Sequence, residues 1–104
     1  MSHNTLENLF NIIKNKDIVG LKKIIASGVD VNQKDEWGIT LLMEICYYIK
    51  SPEIIVKIFL ENGANANAVD KWGRDALNYA KRARYPHSKE EMIGLKNLLK
   101  SYKK

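Results

Sequence analysis

Side chains able to carry out chemistry are few in this chain of 104 residues, and they lie far apart. A metal ion is normally held by three or four Cys, His, Asp or Glu ligands at short, regular spacings. His3 and His87 lie near opposite ends of the sequence, and neither belongs to such a set of ligands. The sequence therefore predicts neither a bound metal ion nor another cofactor.

Covalent and acid–base catalysis find little support in the sequence either. Cys46 is the only cysteine, and on the inward side of a predicted helix it behaves as a small hydrophobic residue. Glu90 and Glu91 are adjacent carboxylates that follow Ser88 in the first turn of a predicted helix, where acids stabilise the helix N-terminus. The glycines form no nucleotide-binding fingerprint. We predict that the protein is not an enzyme.

The composition predicts a single soluble domain. Hydrophobic residues make up 45% of the chain and charged residues 28%, which is ordinary for globular proteins. No apolar run approaches the roughly 18 residues of a membrane-spanning helix, and the polar start of the chain differs from a signal peptide. A lone cysteine can form no internal disulfide, so these features favour a cytoplasmic protein without membrane contact.

The net charge of +5 is unevenly distributed along the chain. Residues 1–70 hold seven lysines and nine acids, a balance of −2, whereas residues 71–104 hold ten basic residues and three acids, a balance of +7. Such an asymmetry can mark a surface for an acidic partner. It can also be a polar end that keeps a stacked structure soluble.

A pattern of eleven residues occurs twice, at an offset of 35 residues. Residues 28–38 recur as residues 63–73, and five pairs match in register: Gly28 and Gly63, Asn32 and Asn67, Asp35 and Asp70, Trp37 and Trp72, Gly38 and Gly73. Repeats with a period of roughly 20–50 residues are typical of proteins built by stacking similar units.

Helical segments flank both copies of this pattern. Before the two copies, apolar residues recur at helical spacing: Ile18, Leu21, Ile24 and Ile25, then Ile54, Ile55, Ile58 and Phe59. Gly28 and Gly63 suit the left-handed residue that follows a helix end, and Ser51 suits an N-cap. Thr40 and Asp75 predict the start of a second helix after each copy.

This unit resembles the ankyrin repeat, whose unit of about 33 residues combines a β-turn, two helices and a Thr-Pro-Leu-His-x-Ala signature. Residues 37–46 and 72–80 occupy the signature, and residues 24–32 and 59–67 are similar to the family's second-helix end and hairpin start. The resemblance implies an all-α ankyrin-repeat solenoid of three stacked helix-turn-helix units with two intervening β-hairpin-like turns. It divides the domain into an N-terminal capping repeat (1–34), a full repeat (35–69) and a C-terminal capping repeat (70–104).

Some features depart from the family pattern. Neither signature contains the family's Pro or His, and Ile45 replaces a small residue between the helices. The inner loop is longest in the last repeat, where Ser88 and Glu91 predict a capping box for the final helix. At the other end of the chain, Asn4 and Glu7 are spaced as an N-cap and its reciprocal partner.

The resemblance also implies a binding surface, because ankyrin repeats bind partners on the concave side formed by hairpin tips and first helices. The matching positions are Lys34, Glu36, Trp37, Ile39, Tyr47 and Tyr48 in the middle repeat, and Val69, Lys71, Trp72, Arg74, Arg82 and Ala83 in the last repeat. Trp, Tyr and Arg concentrate binding energy at interfaces. Either tryptophan could instead pack on the neighbouring hairpin, and one tyrosine could pack between the helix layers.

We predict a non-catalytic protein–protein interaction module that binds one specific, acidic protein partner on its concave face and exists as a monomer or weak dimer. An inhibitor or immunity role in a microbe or a virus fits so small a chain. The alternative is a nucleic-acid-binding protein that uses the basic C-terminal third. The slightly acidic first seventy residues count against that alternative, and no recognised nucleic-acid-binding fold matches the pattern.

Overall fold

The computed structural model describes the backbone of residues 2–103 and the side chains of residues 8–103. This range contains α1 (Ser2–Lys14), α2 (Ile18–Ala26), α3 (Leu41–Tyr48), α4 (Glu53–Glu61), α5 (Ala76–Lys81) and α6 (Lys89–Ser101). The described backbone contains no strand, and its first hairpin-like turn is closed by an antiparallel bridge between Lys34 and Thr40. The chain divides into two compact units, Met1–Asp30 and Val31–Lys104.

The unit Met1–Asp30 contains α1 and α2, which pack against each other. The Asp17 carboxylate accepts a hydrogen bond from Gly20 N–H at 2.9 Å and so caps α2, satisfying a donor that has no partner within the helix. Leu9, Ile13 and Leu21 are fully buried. The apolar spacing in these two helices therefore corresponds to a buried face, as amphipathic helices require.

The predicted cap at the start of α1 falls inside the helix. Because α1 begins at Ser2, Asn4 is already a helical residue. The side chains of Asn4 and Glu7, like that of His3, lie outside the described residues. The hydrogen bonds predicted for this pair therefore stay a prediction.

The unit Val31–Lys104 contains the other four helices in two layers. Helix α3 packs beside α5 and α4 beside α6, and the layers are joined by contacts between α3 and α4 and between α5 and α6. Their apolar faces share a core that includes Leu42, Ile45, Ile55, Val56, Phe59, Ala76, Ala80, Leu95 and Leu99. Because such short helices are marginally stable alone, this shared core is what stabilises them.

Of the four N-caps predicted for the later helices, three are confirmed and one is wrong. Thr40, Asp75 and Ser88 cap α3, α5 and α6, each accepting a hydrogen bond from the N–H three residues later. Ser51 does not cap α4, because its φ of 46° is left-handed, whereas an N-cap residue is extended. Its hydroxyl instead donates to Glu91 Oε2 at 2.6 Å.

The two copies of the repeated pattern form the same turn. Asp35 Oδ1 accepts hydrogen bonds from the N–H groups two and four residues later, both at 2.9 Å. Asp70 Oδ1 accepts the equivalent pair at 2.8 and 2.9 Å. In both turns the next glycine, Gly38 or Gly73, has a positive φ, close to 80°, which glycine adopts without steric strain.

Hydrogen bonds also join one turn to the next. Lys71 N–H donates to Trp37 O at 2.8 Å. The Asn32 side chain donates to Gly63 O at 2.9 Å and accepts from Asn65 N–H at 2.7 Å. These bonds stack the second turn on the first and thereby align the helices α3 and α5 that follow them.

The long loop between α5 and α6 lies across the end of α3. Arg84 N–H donates to Tyr47 O at 2.8 Å, and His87 Nε2 donates to Cys46 O at 3.0 Å. The last carbonyl groups of a helix have no N–H donor within it, and this loop supplies donors to two of them. The loop thereby holds the end of α3 that carries Tyr47 and Tyr48.

Candidate functional site

A groove of about 500 Å³ lies between α3, α5 and the two turns that precede them. It is lined by Trp37, Ile39, Glu44, Tyr47, Tyr48, Trp72, Arg74, Asn78, Tyr79 and Arg82. All these residues belong to the unit Val31–Lys104. Half of them are aromatic, so the groove offers large flat surfaces edged by a few polar groups, as many binding sites do.

Helix α3 forms one wall of the groove. Glu44, Tyr47 and Tyr48 are three and four residues apart, a spacing that places them on one helix face. The Tyr47 ring meets the ring of Tyr48 edge-on at 4.8 Å and that of Tyr79 on α5 at 6.2 Å between centroids. Tyr47 therefore connects the two walls, while Tyr48 is exposed at the groove surface.

A buried carboxylate supports the other wall. Only 4% of the surface of Asp70 is exposed. Its Oδ2 accepts hydrogen bonds from the Tyr79 hydroxyl at 2.5 Å and from Arg74 Nε at 2.9 Å, while Oδ1 binds the turn. Because an unpaired buried carboxylate is strongly unfavourable, this set of donors is what permits its burial.

The hydrogen bonds decide the ionisation of Asp70. Burial by itself raises the pKa of Asp70, but hydrogen bonds from Tyr79, from the backbone and side chain of Arg74 and from Trp72 N–H outweigh it. The pKa of Asp70 therefore lies well below the usual range of an aspartate. Burial and the hydrogen bond to Asp70 also raise the pKa of Tyr79, so its hydroxyl stays a donor.

Arg74 is held between aromatic rings as well as by Asp70. Its guanidinium carbon lies 4.8 Å from the centroid of the Trp72 ring and 5.1 Å from that of the Tyr79 ring, and Nη2 donates to the Tyr79 hydroxyl at 3.1 Å. Lys71 Nζ lies 5.5 Å from the Trp72 ring. Such contacts between cations and rings stabilise the orientation of the indole.

Glu44 differs from the other charged groups of the groove. Its side chain is half-buried, and it makes no hydrogen bond or ion pair with another residue of the described part of the chain. Burial, together with the negative charge of Asp35, raises the pKa of Glu44. The middle repeat therefore presents an uncompensated carboxylate at the groove wall.

The structure brings together most of the residues predicted for the binding surface. Trp37, Ile39, Tyr47, Tyr48, Trp72, Arg74 and Arg82 all line the groove. The other predicted residues, Lys34, Glu36, Val69, Lys71 and Ala83, do not line it. The first four are exposed and Ala83 is half-buried. The role of all these residues in binding stays a prediction.

Sequence reasoning missed three residues of the groove: Glu44, Asn78 and Tyr79. Helical spacing could have indicated two of them, because Glu44 precedes Tyr47 by three residues and Tyr79 precedes Arg82 by three. Asn78 gave a weaker signal, since its side chain is also the reciprocal partner in the capping box of α5.

The described residues show little that could react. No three His, Cys, Asp or Glu side chains in residues 8–103 lie close enough to hold a metal ion. Burial, with the charge of Asp75, raises the pKa of Cys46 to about 12, so its thiol stays protonated near neutral pH. Among the helices described, none combines the length and apolar character that a membrane span needs.

Comparison with known proteins identifies the type of repeat. A family model described as "Ankyrin repeats (3 copies)" matches residues 9–93, most of the chain. No curated protein matches the sequence with significant similarity. The match includes all the residues that line the groove.

Proposed function

Because the chain belongs to the ankyrin-repeat family, we propose that it is a non-catalytic module whose groove binds one specific protein partner. The mostly helical fold predicted from the sequence is confirmed by the six helices of the described chain and by the family match. Ankyrin repeats generally mediate protein–protein interaction. The proposal extends this general role to a particular surface of this chain.

The exposure of three aromatic side chains carries the proposal. Trp37, Tyr48 and Trp72 line one groove although 44%, 42% and 56% of their surfaces are exposed. Contiguous exposed apolar surface is unfavourable in water and typically marks an interaction site. Trp and Tyr are also the residues that most often dominate the binding energy of interfaces.

Preorganisation of the groove supports the same proposal. Arg74 holds the Trp72 indole, and Tyr47 packs on the neighbouring tyrosines. Side chains ordered before binding lose little rotamer entropy when a partner arrives. The groove therefore suits a tight and selective complex.

The charges of the groove favour an acidic residue in the bound segment near α5. Arg74 is ion-paired with Asp70, whereas Arg82 is exposed and lines the groove at the end of α5. A carboxylate of the partner would meet Arg82 there. Binding in this way would cover part of the partner's surface and could block its activity. This agrees with the inhibitor role proposed from the sequence.

Capture from the native cell, followed by quantitative mass spectrometry, tests the proposal. We expect a partner bound by the wild type to be lost from Trp37→Ala, Tyr48→Ala and Trp72→Ala, with Kd raised about 30-fold, as hot-spot truncations of about 2 kcal/mol do. Ile54→Ala is the matched control, because this apolar residue is 64% exposed and lies outside the groove.

Circular dichroism must show that all four variants keep the helical fold. Capture of the same protein by the control but not by the groove variants supports the groove as the binding surface. Equal capture by folded groove variants and wild type would refute it.

A further inference from the structure

The last repeat shows how this turn holds an arginine side chain. The guanidinium of Arg74 is paired with Asp70 through Nε at 2.9 Å and lies over the Trp72 ring at 4.8 Å. It also contacts Tyr79, which lies on the first turn of the following helix. A carboxylate and an aromatic ring together therefore bind one guanidinium on this scaffold.

The middle repeat has the carboxylate and the ring without the cation. At the offset of 35 residues, Asp35 corresponds to Asp70 and Trp37 to Trp72, whereas Ile39 takes the place of Arg74. Glu44 takes the place of Tyr79, which adds a second acid. The turns have the same hydrogen bonds, so the corresponding positions are comparable.

The space next to these groups belongs to the groove. Trp37, Ile39 and Glu44 all line it. The Glu44 carboxylate is half-buried, and the negative charge of Asp35 acts on it, which is part of the reason why its pKa is raised. A cation placed against Glu44 would offset this unfavourable interaction between like charges.

We propose that the protein segment bound in the groove supplies an arginine whose guanidinium pairs with Glu44 and lies against Trp37, as Arg74 pairs with Asp70 and lies against Trp72. The inference rests on the proposed function and adds to it the chemistry of one anchor. Together with the carboxylate expected at Arg82, it describes a segment that carries charges of both signs.

Arginine suits this position better than lysine for two reasons. The guanidinium is planar, so it can stack on an indole while its edge donates to a carboxylate. It is also less strongly hydrated than an ammonium group, so its transfer into a half-buried groove is less unfavourable. The contacts of Arg74 show both properties within the same chain.

Selection of binding peptides from a random displayed library, with the full chain as bait, tests the inference. Some selected peptides will bind only when Trp37 and Tyr48 are intact. We expect all peptides of this group to contain an arginine. Glu44→Gln should bind such a peptide about tenfold more weakly, and the same peptide with its arginine replaced by glutamine should bind the wild type about tenfold more weakly. The two changes combined should add little to either alone, because they remove the same contact.

Two further variants sharpen the experiment. Glu36→Gln is the matched control, since it removes an exposed carboxylate of the same turn that does not line the groove, and its Kd should equal that of the wild type. Glu44→Arg should select peptides that carry an aspartate or glutamate in place of the arginine. Melting curves confirm that each variant is folded.

The outcomes separate this inference from the proposed function. Peptides that depend on Trp37 and Tyr48 but lack arginine, or bind Glu44→Gln as tightly as the wild type, would overturn the inference alone. A selection in which no peptide depends on Trp37 or Tyr48 would overturn both.

Discussion

At the scale of single residues, equivalent positions of the two turns have different roles. Asp35 is exposed and serves its own turn. Asp70 is buried and additionally binds Arg74 and Tyr79. The same residue type at the same place in the repeat is therefore a local turn former in one copy and the polar centre of a groove wall in the other.

Replacement of Asp70 by asparagine should destabilise the protein in a pH-dependent way. Near neutral pH we expect a loss of about 2 kcal/mol in the free energy of unfolding, because hydrogen bonds to a charged group are the stronger ones. Asp35→Asn, which affects only backbone hydrogen bonds of an exposed turn, should lose less. Urea denaturation of the three proteins at several pH values measures both differences.

The direction of the pH effect follows from the lowered pKa of Asp70. The contribution of ionised Asp70 to the free energy of unfolding is complete above the ordinary aspartate pKa of about 4. It is lost as the pH falls toward the lower pKa that Asp70 has in the folded protein. The difference in the free energy of unfolding between the wild type and Asp70→Asn should therefore become smaller from pH 7 to pH 3. A gap of constant size over that range would contradict the assignment of the stabilisation to the ionised carboxylate.

At the scale of elements, the turns are what place the groove residues. Each turn is closed by an aspartate and a glycine of positive φ, and the second turn is bonded to the first through Lys71 N–H and Trp37 O. Because α3 and α5 begin directly after these turns, the separation of the turns sets the separation of the groove walls. Close backbone packing at the turns is therefore a condition for the groove.

Substitutions at Gly38 and Gly73 distinguish the effect of this close packing on stability from the effect of backbone conformation. Both have a φ near 80°, but a Cβ at Gly38 would lie 3.2 Å from Asp70 Cα, whereas a Cβ at Gly73 meets no atom within 4 Å. Gly73→Ala should cost about 1–2 kcal/mol for the left-handed conformation alone. Gly38→Ala should cost more, and chemical denaturation midpoints measure the difference. Equal destabilisation by the two substitutions would indicate that the second turn moves away from a Cβ at position 38 without loss of stability.

At the scale of the whole molecule, the excess of basic residues in the C-terminal third is partly compensated by ion pairs. Arg74 pairs with Asp70, and Lys103 Nζ pairs with Asp75 at 2.7 Å. Asp75 is already counted in the balance of +7, so only the pair with Asp70 lowers the positive charge that residues 71–104 offer to a polyanion. Our preference for a protein partner therefore rests on the family match and on the groove, and nucleic-acid binding through this third needs a direct test.

We expect no binding of single- or double-stranded oligonucleotides at about 50 mM salt, where electrostatic affinity is greater than at physiological salt. Fluorescence anisotropy of labelled oligonucleotides is the measurement. A heparin-binding protein of known affinity would verify that the assay detects polyanion binding. Affinity that falls steeply as salt is raised would support the nucleic-acid alternative instead.

The sequence by itself determined the repeated unit and most of its helix boundaries. Apolar spacing, the caps at Thr40, Asp75 and Ser88, and the glycines after helix ends all act within a few residues, so local pattern is sufficient to predict them. The positions of Trp37 and Trp72 at the groove followed from the repeat together with the family resemblance.

Only the tertiary structure decided which side chains use one another as partners. Ser51 binds Glu91 forty residues away instead of capping α4. Arg74, predicted to face a partner, lines the groove but pairs with Asp70. Glu44, which was not predicted, lines the groove and has no ion-pair partner among the side chains of residues 8–103. Such pairings depend on the distances between side chains of packed helices and on how deeply each side chain is buried. The spacing of residue types along the sequence does not specify these quantities.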